Sequence, residues 1–205
     1  MKTLLPNQIR IHEAAVRLFA QRGTTQASVS ELAQAAGVAR GTIYNNVANR
    51  DSLFEEVAVA VADEMHARVD ASFRNLEDPA HRLARGIRLF VRRAHDEPDW
   101  GRFIVRFAVT TASLSAMLSG QPARDLKAGL EGGRYRFREE QLTSVVAAVA
   151  AATISAMSLV LDGEKTWREA GSDAAEFTLR AIGVPIDDAR ALASAELPPL
   201  PDTAG

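Results

Sequence analysis

The sequence predicts an all-α fold, with a three-helix head ahead of a larger helical body. Three observations predict it. Apolar residues recur at helical spacing through most of the chain, no stretch alternates with the period of two of a half-buried strand, and the breaks fall at Gly and Pro. The 205 residues are enough to bury a core and suit one or two domains. There are no cysteines, which excludes disulfides, thiol catalysis and Cys-based zinc sites. The opening MKTLLPNQIR lacks the apolar run of a secretion signal, so a cytoplasmic location is expected. No membrane span is expected: the longest apolar run, Val145 to Leu161, is rich in small and hydroxyl side chains.

The first helix is expected over about Asn7 to Arg22. The second is announced by Ser28 and Glu31, the S-x-x-E spacing of a capping box, in which each side chain satisfies the other residue's backbone N–H. Val29, Leu32, Ala33 and Ala36 then share one face, and Gly37 supplies the left-handed residue that ends many helices. Arg40 to Asn46 form the third helix, with Ile43 and Val47 turned inward. Asn49 is a good N-cap for a long fourth helix beginning near Arg50 and buried through Leu53, Phe54, Val57, Val61, Met65 and Val69.

The body continues with Ala80 to Ala94, and Pro98 opens a helix carrying the stripe Trp100, Phe103, Ile104 and Phe107. Gly120-Gln121-Pro122 reads as a break before a short helix ended by Gly132-Gly133. A long helix from about Glu139 to Leu161 follows, then one from Ser172 to Ile182 stopped by Gly183-Val184-Pro185. Pro198, Pro199 and Pro201 mark an extended or disordered tail.

Two short capped helices with a glycine turn are the pattern of a helix-turn-helix, whose second helix enters a DNA groove. The residues expected to face outward suit that role. Arg40 can pair with phosphate or read guanine, and Asn45 can bond adenine bidentately. The hydroxyls of Thr42 and Tyr44 can reach phosphates, and Gly41 removes a side chain where the backbone would approach DNA. Arg50 lies near the next helix N-terminus, where anions are favoured. The net charge of −2 looks wrong for a DNA binder. Its distribution is better: residues 1–54 hold six basic and three acidic side chains, a net of +3.

Together with Ile11-His12-Glu13-Ala14-Ala15-Val16-Arg17-Leu18-Phe19-Ala20-Gln21-Arg22-Gly23, the segment SVSELAQAAGVARGTIYNNVANRDSLF resembles the N-terminal domain of TetR-family transcriptional regulators. The likeness covers roughly residues 9–60 and rests on motifs in order: A-x-x-L-F-A-x-x-G, a Ser cap, A-G-V, G-T-I-Y, then a basic residue three before Leu. Two departures stand out. Ala39 replaces the Ser or Thr that often caps the reading helix, and Asn45-Asn46-Val47-Ala48 replaces an aromatic-rich stretch.

The resemblance implies a DNA-binding head over residues 1–55, a helical ligand-binding and dimerisation body over 56–190, and a flexible Pro-rich tail over 191–205. It implies a homodimeric repressor on a palindromic operator in double-stranded DNA, released by a partly apolar small-molecule effector. Ser28, Arg40, Gly41, Thr42, Tyr44, Asn45, Asn46 and Arg50 are the candidate DNA contacts, Asn45 and Asn46 being those peculiar to this chain. Phe90, His95, Trp100, Phe103, Phe107, Met117 and Tyr135 are the candidate pocket residues, with Arg102 and Arg106 as further polar handles. The long helix is apolar nearly all round and must be buried on several sides. Val145, Val149, Ala152, Ala156 and Val160, with Phe177 and Leu179 from the helix after it, are therefore the candidate dimer interface. Arg85, Arg88, Arg92 and Arg93 read as a solvated face paired with acidic neighbours rather than as an anion site. No metal site, cofactor or enzyme activity is expected: His12, His66, His81 and His95 form no H-E-x-x-H or triad pattern, and no G-x-S-x-G or phosphate loop occurs. The alternative is a helical binding or scaffold protein that kept the fold without specific DNA binding.

Overall fold

The computed structural model describes residues 6–47 and 52–201. Among these residues the chain forms ten α-helices and one 3-10 turn, with no strand. The head comprises α1 (Pro6–Arg22), α2 (Val29–Ala36) and α3 (Arg40–Asn46). α1 buries Ile11, Ala14, Ala15, Phe19 and Ala20, the face its periodicity requires. α4 (Leu53–Ser72) is a continuous 20-residue helix leading from head to body. The expected Asn49 cap and the start near Arg50 lie outside the described residues.

The body is built from α5 (Pro79–Asp96), α6 (Pro98–Phe107), α7 (Ala112–Glu131), the 3-10 turn (Glu139–Gln141), α8 (Leu142–Leu161), α9 (Trp167–Ala181) and α10 (Ile186–Ser194). One apolar core runs from the head through α4 and α6 into α7 and α8. A second, formed by α5, α7, α8, α9 and α10, closes the far end.

Four sequence expectations need correction. Gly120-Gln121-Pro122 does not break the chain, because α7 runs through Pro122. The proline has no N–H to give the Leu118 carbonyl, but Leu114, Met117 and Leu118 are buried before it and Leu126 after it. Packing on both sides outweighs one lost hydrogen bond. α9 begins at Trp167, ahead of Ser172, because Thr166 and Glu169 form a capping box. The segment after Pro185 is helical: α10 buries Ala189 and Ala193 and has Asp187 and Asp188 in its first turn. The tail read from residue 191 thus starts only after Ser194.

The fourth correction concerns the arginines of α5. Arg88 and Arg93 are buried. Arg93 pairs with Glu64 of α4 at 2.6 Å and with Glu97 at 3.0 Å. Arg85 donates to the Ser72 carbonyl, the last residue of α4, at 2.9 Å. Arg88 and Arg92 donate to the carbonyls of Ala195 and Leu197, and Arg68 of α4 donates to that of Pro201. These side chains tie α4, α5 and the chain's end into one layer.

The path of the turn after α7 depends on one small residue. A Cβ at Gly129 would lie 2.0 Å from Cε2 of the buried Tyr135 ring, whereas a Cβ at Gly120 would meet nothing within 4 Å. Gly129→Ala is expected to destabilise the chain by about 1–3 kcal/mol through overpacking. Gly120→Ala is expected to stabilise it by about 0.5–1 kcal/mol through helix propensity. Thermal melts of the two variants check the opposite signs.

Candidate nucleic-acid interface and apolar cavity

The caps that locate α2 in the sequence are formed. Ser28 Oγ accepts from the Glu31 N–H at 3.3 Å, and the Ser28 N–H donates to Glu31 Oε2 at 2.8 Å. Gly37 adopts φ 62°, ψ 40°, the left-handed conformation that only glycine enters freely. α1 then satisfies the open end of α2. Arg10 donates to the Ala36 and Gly37 carbonyls at 2.9 and 3.0 Å, and Arg17 donates to Ala35 O at 3.0 Å. Arg22 pairs with Glu31. Three of the head's basic side chains are therefore engaged in holding α2 in place.

α3 is held by Ile43, which is 1 % exposed, while Arg40, Gly41, Tyr44 and Asn45 are exposed on its outer side. Ala39 offers no side-chain cap, as its sequence implies. Arg40 has no hydrogen bond or ion pair among the described residues, and a Cβ at Gly41 would meet nothing within 4 Å. Tyr44 is 66 % exposed, a large aromatic presented to the outside. Thr42 is half-buried, and its carbonyl accepts from Asn46 Nδ2 at 2.8 Å. Asn46 is thus tied to its own helix, and Asn45 is the freer of the pair. Ser28 is exposed, but its hydroxyl is engaged in the cap. Arg50 lies outside the described residues.

The expected pocket residues part company. Phe103 and Phe107 join Phe19 of α1 and Phe54 of α4 in a ring cluster with centroids 5.0–6.5 Å apart. That cluster is the junction between head and body. Trp100 packs against Phe90 at 6.0 Å, with the Arg93 guanidinium 4.4 Å from its ring. Tyr135 lies in the second core, stacked on Phe137, and His95 is exposed. Arg102 is exposed beside Asp99, and Arg106 lies over Gly23. A stripe of rings at helical spacing marks a buried face without saying what lies opposite.

The cavity lies elsewhere and keeps only Phe90 and Met117 of that set. It opens between α4, α5, α7 and α8. Val69, Phe73, Leu83, Ile87, Leu118 and Val149 add apolar wall. Polar groups gather along one edge. Gln121 and Asp125 are buried on α7, Gln121 Nε2 donates to both Asp125 oxygens at 3.1 Å, and Arg82 Nη2 pairs with Asp125 Oδ1 at 2.9 Å. Burial pushes the Asp125 carboxyl up, opposed by the hydrogen bond from Gln121 and the charge of Arg82. His66 Nε2 and Arg82 Nε are buried without a hydrogen-bond partner among the described residues. Sequence reasoning missed these polar groups because they lie on three helices with no common motif.

Comparison with known proteins then decides the family. The model described as "Tetracyclin repressor-like, C-terminal domain" matches residues 78–195, and that described as "Bacterial regulatory proteins, tetR family" matches residues 11–57. The chain belongs to the TetR family. As a TetR-family protein it has the family's helix-turn-helix head and helical C-terminal domain. It is 27% identical over 112 residues to an uncharacterized HTH-type transcriptional regulator of Mycobacterium tuberculosis, covering 55% of this chain and 54% of the relative. The chain thus spans about half the length of the first curated relatives it matches. The crystal structure of RolR in complex with resorcinol is 27% identical, with a TM-score of 0.71, over 95% of this chain and 96% of that one. The fatty acid degradation regulator FadR from Bacillus halodurans, 19% identical with a TM-score of 0.74 over 87% and 97% of the two chains, shares the fold.

The TetR-family head carries its own acid sensitivity. The Arg22 guanidinium, with the Ser28 N–H and hydroxyl, holds the exposed Glu31 carboxyl down at about 2 from an ordinary 4.5. A depressed carboxyl contributes stability that is present above its unfolded value and lost as pH falls through its folded one. Between pH 4.5 and 2 the head should therefore loosen, and Arg22→Ala should move the Glu31 midpoint back toward 4.5 in an NMR titration. A midpoint near 4.5 in the unsubstituted chain overturns the assignment.

Proposed function

We propose that this TetR-family chain is a homodimeric repressor that grips a two-fold symmetric operator with α3 and is released by a small, largely apolar effector in the cavity. The observation that carries this reading is α4. Near its start Phe54 sits in the ring cluster that joins the head to α6, and near its end His66, Val69 and Phe73 line the cavity. The cavity residues lie roughly 18 to 28 Å from Phe54 along the helix, at 1.5 Å per residue. A ligand that fits the cavity better when α4 is displaced would shift the head, and linkage then requires operator and effector to oppose each other. RolR, solved with resorcinol, supports an effector of modest size. Residues 1–55 act as the head and 56–190 as the body. A regulator of this kind works in the cytoplasm, where the DNA is.

Within α3, Arg40, Thr42 and Tyr44 grip phosphates and Asn45 reads bases, with Gly41 admitting the backbone close to DNA. One reading helix contacts few base pairs, so two copies related by a two-fold axis are needed for a specific site. α8 and α9 support the means of pairing. Ala147, Ala148, Ala151 and Ser155 lie exposed along α8, and Phe177 of α9 is 64 % exposed. Val145, Ala152 and Val160 are half-buried at the margins of that strip. Val149, Ala156 and Leu179, expected at the interface, are buried in this chain's own core, because α8 is covered on its other sides by α5, α7 and α9. The segment Glu139–Leu161 is also long and apolar enough to cross a membrane. Its exposed strip is alanine and serine, which suits the close approach of a second helix.

Gel shifts test the reading helix with operator selected from random duplexes. Arg40→Ala and Gly41→Ala are expected to weaken binding at least tenfold, about 1.4 kcal/mol, with unchanged circular dichroism. Unchanged binding by both removes α3 from its role. The pairing face is tested by Ala151→Glu, which should turn a dimer into a monomer in light scattering and flatten the salt dependence of DNA binding.

A further inference from the structure

We propose that the cavity takes an uncharged hydroxyarene, a single aromatic ring bearing phenolic hydroxyl, whose O–H donates to Asp125. The inference rests on the reading of this cavity as the effector site and names the chemistry the site selects.

The polar edge is built to receive a donor. Gln121 Oε1 accepts from Arg124, which fixes the amide so that Nε2 faces Asp125. Asp125 is 3 % exposed. Its Oδ1 accepts from Gln121 and Arg82, whereas Oδ2 accepts from Gln121 alone among the described residues. A carboxylate oxygen has room for two donors, so Oδ2 keeps one place open. Also in the lining, buried His66 Nε2 and Arg82 Nε have no hydrogen-bond partner among the described residues. A phenolic hydroxyl both donates and accepts, so it can satisfy the carboxylate and one of these nitrogens at once. Unpaired buried polar groups are costly, and a ligand that pairs them gains affinity that a hydrocarbon does not.

Charge and shape complete the selection. Arg82 lines the cavity and already pairs with Asp125, while Arg124 lies outside the lining and is turned to Gln121 Oε1, so neither guanidinium is presented to an anionic ligand. A fatty acid or benzoate would bring its carboxylate against that of Asp125, with no proton to give and little water to screen the repulsion. The walls are Phe73, Phe90, Met117 and branched aliphatic side chains. Rings and thioether match the faces and edges of an aromatic ligand.

The test uses the full chain, titrated calorimetrically with phenol, resorcinol, benzoate and decanoate, and a gel shift on selected operator with the same probes. The hydroxyarenes are expected to bind, with benzoate and decanoate at least tenfold weaker. Asp125→Asn is expected to weaken hydroxyarene binding at least tenfold. Phe90→Trp, which fills the cavity, should abolish it, and melting curves should show both variants folded. Hydroxyarene binding that Phe90→Trp abolishes and Asp125→Asn weakens, but that leaves DNA bound, upholds the ligand class and overturns the effector reading. Release of DNA by decanoate or benzoate, lost in Phe90→Trp, overturns the ligand class and leaves the effector reading standing. Failure of both hydroxyarenes to bind, or binding indifferent to Asp125→Asn, overturns the proposal.

Discussion

Four phenylalanine rings decide what this molecule can transmit. Phe19 comes from α1, Phe54 from α4, and Phe103 and Phe107 from α6. The body element that meets the head through these rings is therefore α6, and the core is continuous across the junction. Interiors packed this densely respond to strain by moving as units rather than by deforming smoothly. A displacement of α4 relative to α6 has to be carried by the head or absorbed by loss of ring contacts. Each large ring buries enough apolar surface to be worth roughly 1.5–3 kcal/mol. Movement of the head as a body is the cheaper course.

Arginine does the complementary work with charge. In the head, Arg10 and Arg17 hold the C-terminal end of α2 and Arg22 holds its cap. In the body, Arg85 and Arg93 join α5 to α4, and Arg134 bridges Asp78 and Asp188 at 3.1 and 2.7 Å. The planar fork of donors suits carbonyls and carboxylates in fixed directions, which a lysine would serve less well. The basic balance of the head is consequently a poor measure of its attraction for phosphate. Among the described residues it is Arg40 that stays uncommitted there, so on the proposed reading the grip on phosphate leans on Arg40, Thr42, Tyr44 and close fit of the α3 backbone, and base reading on Asn45.

What the sequence showed and hid follows from the range of the interactions involved. The α2 cap, the Gly37 turn, the buried Ile43 and the missing cap at Ala39 are settled within a few residues, and each stands in the structure as its spacing implies. The Thr166 and Glu169 capping box was equally local, and the start of α9 was legible there. The continuity of α7 through Pro122 was not, because it depends on what Met117 and Leu126 pack against in other helices. The arginines of α5 look like a solvated face until Glu64 and the backbone after α10 are brought beside them. The cavity is the extreme case. His66, Arg82, Gln121 and Asp125 come from three helices and share no motif, whereas the ring stripe of α6 announced itself and proved to be the junction.

The cavity's walls are unequal, and the inequality bears on how a ligand would act. α5 is the stiff wall: Arg93 is buried against Glu64, and α9 and the final segment pack across its back. The guanidinium end of that pair is buried, and Glu97 holds it from the other side. α7 is the soft wall, since Pro122 lines the cavity and leaves the helix one hydrogen bond short at that turn. α4 lies between these extremes, tied to α5 through Glu64 and Ser72 but lining the cavity through His66, Val69 and Phe73. A ligand that enlarges the cavity would first spread α7, which reaches the head's apolar core by way of α4. To reach the head it must engage α4, and His66 is the polar side chain of α4 among the lining residues. A bond from the ligand to His66 on one side and to Asp125 on the other would span the gap between the lever and the soft wall. Coupling would then depend on the ligand's polar groups more than on its bulk.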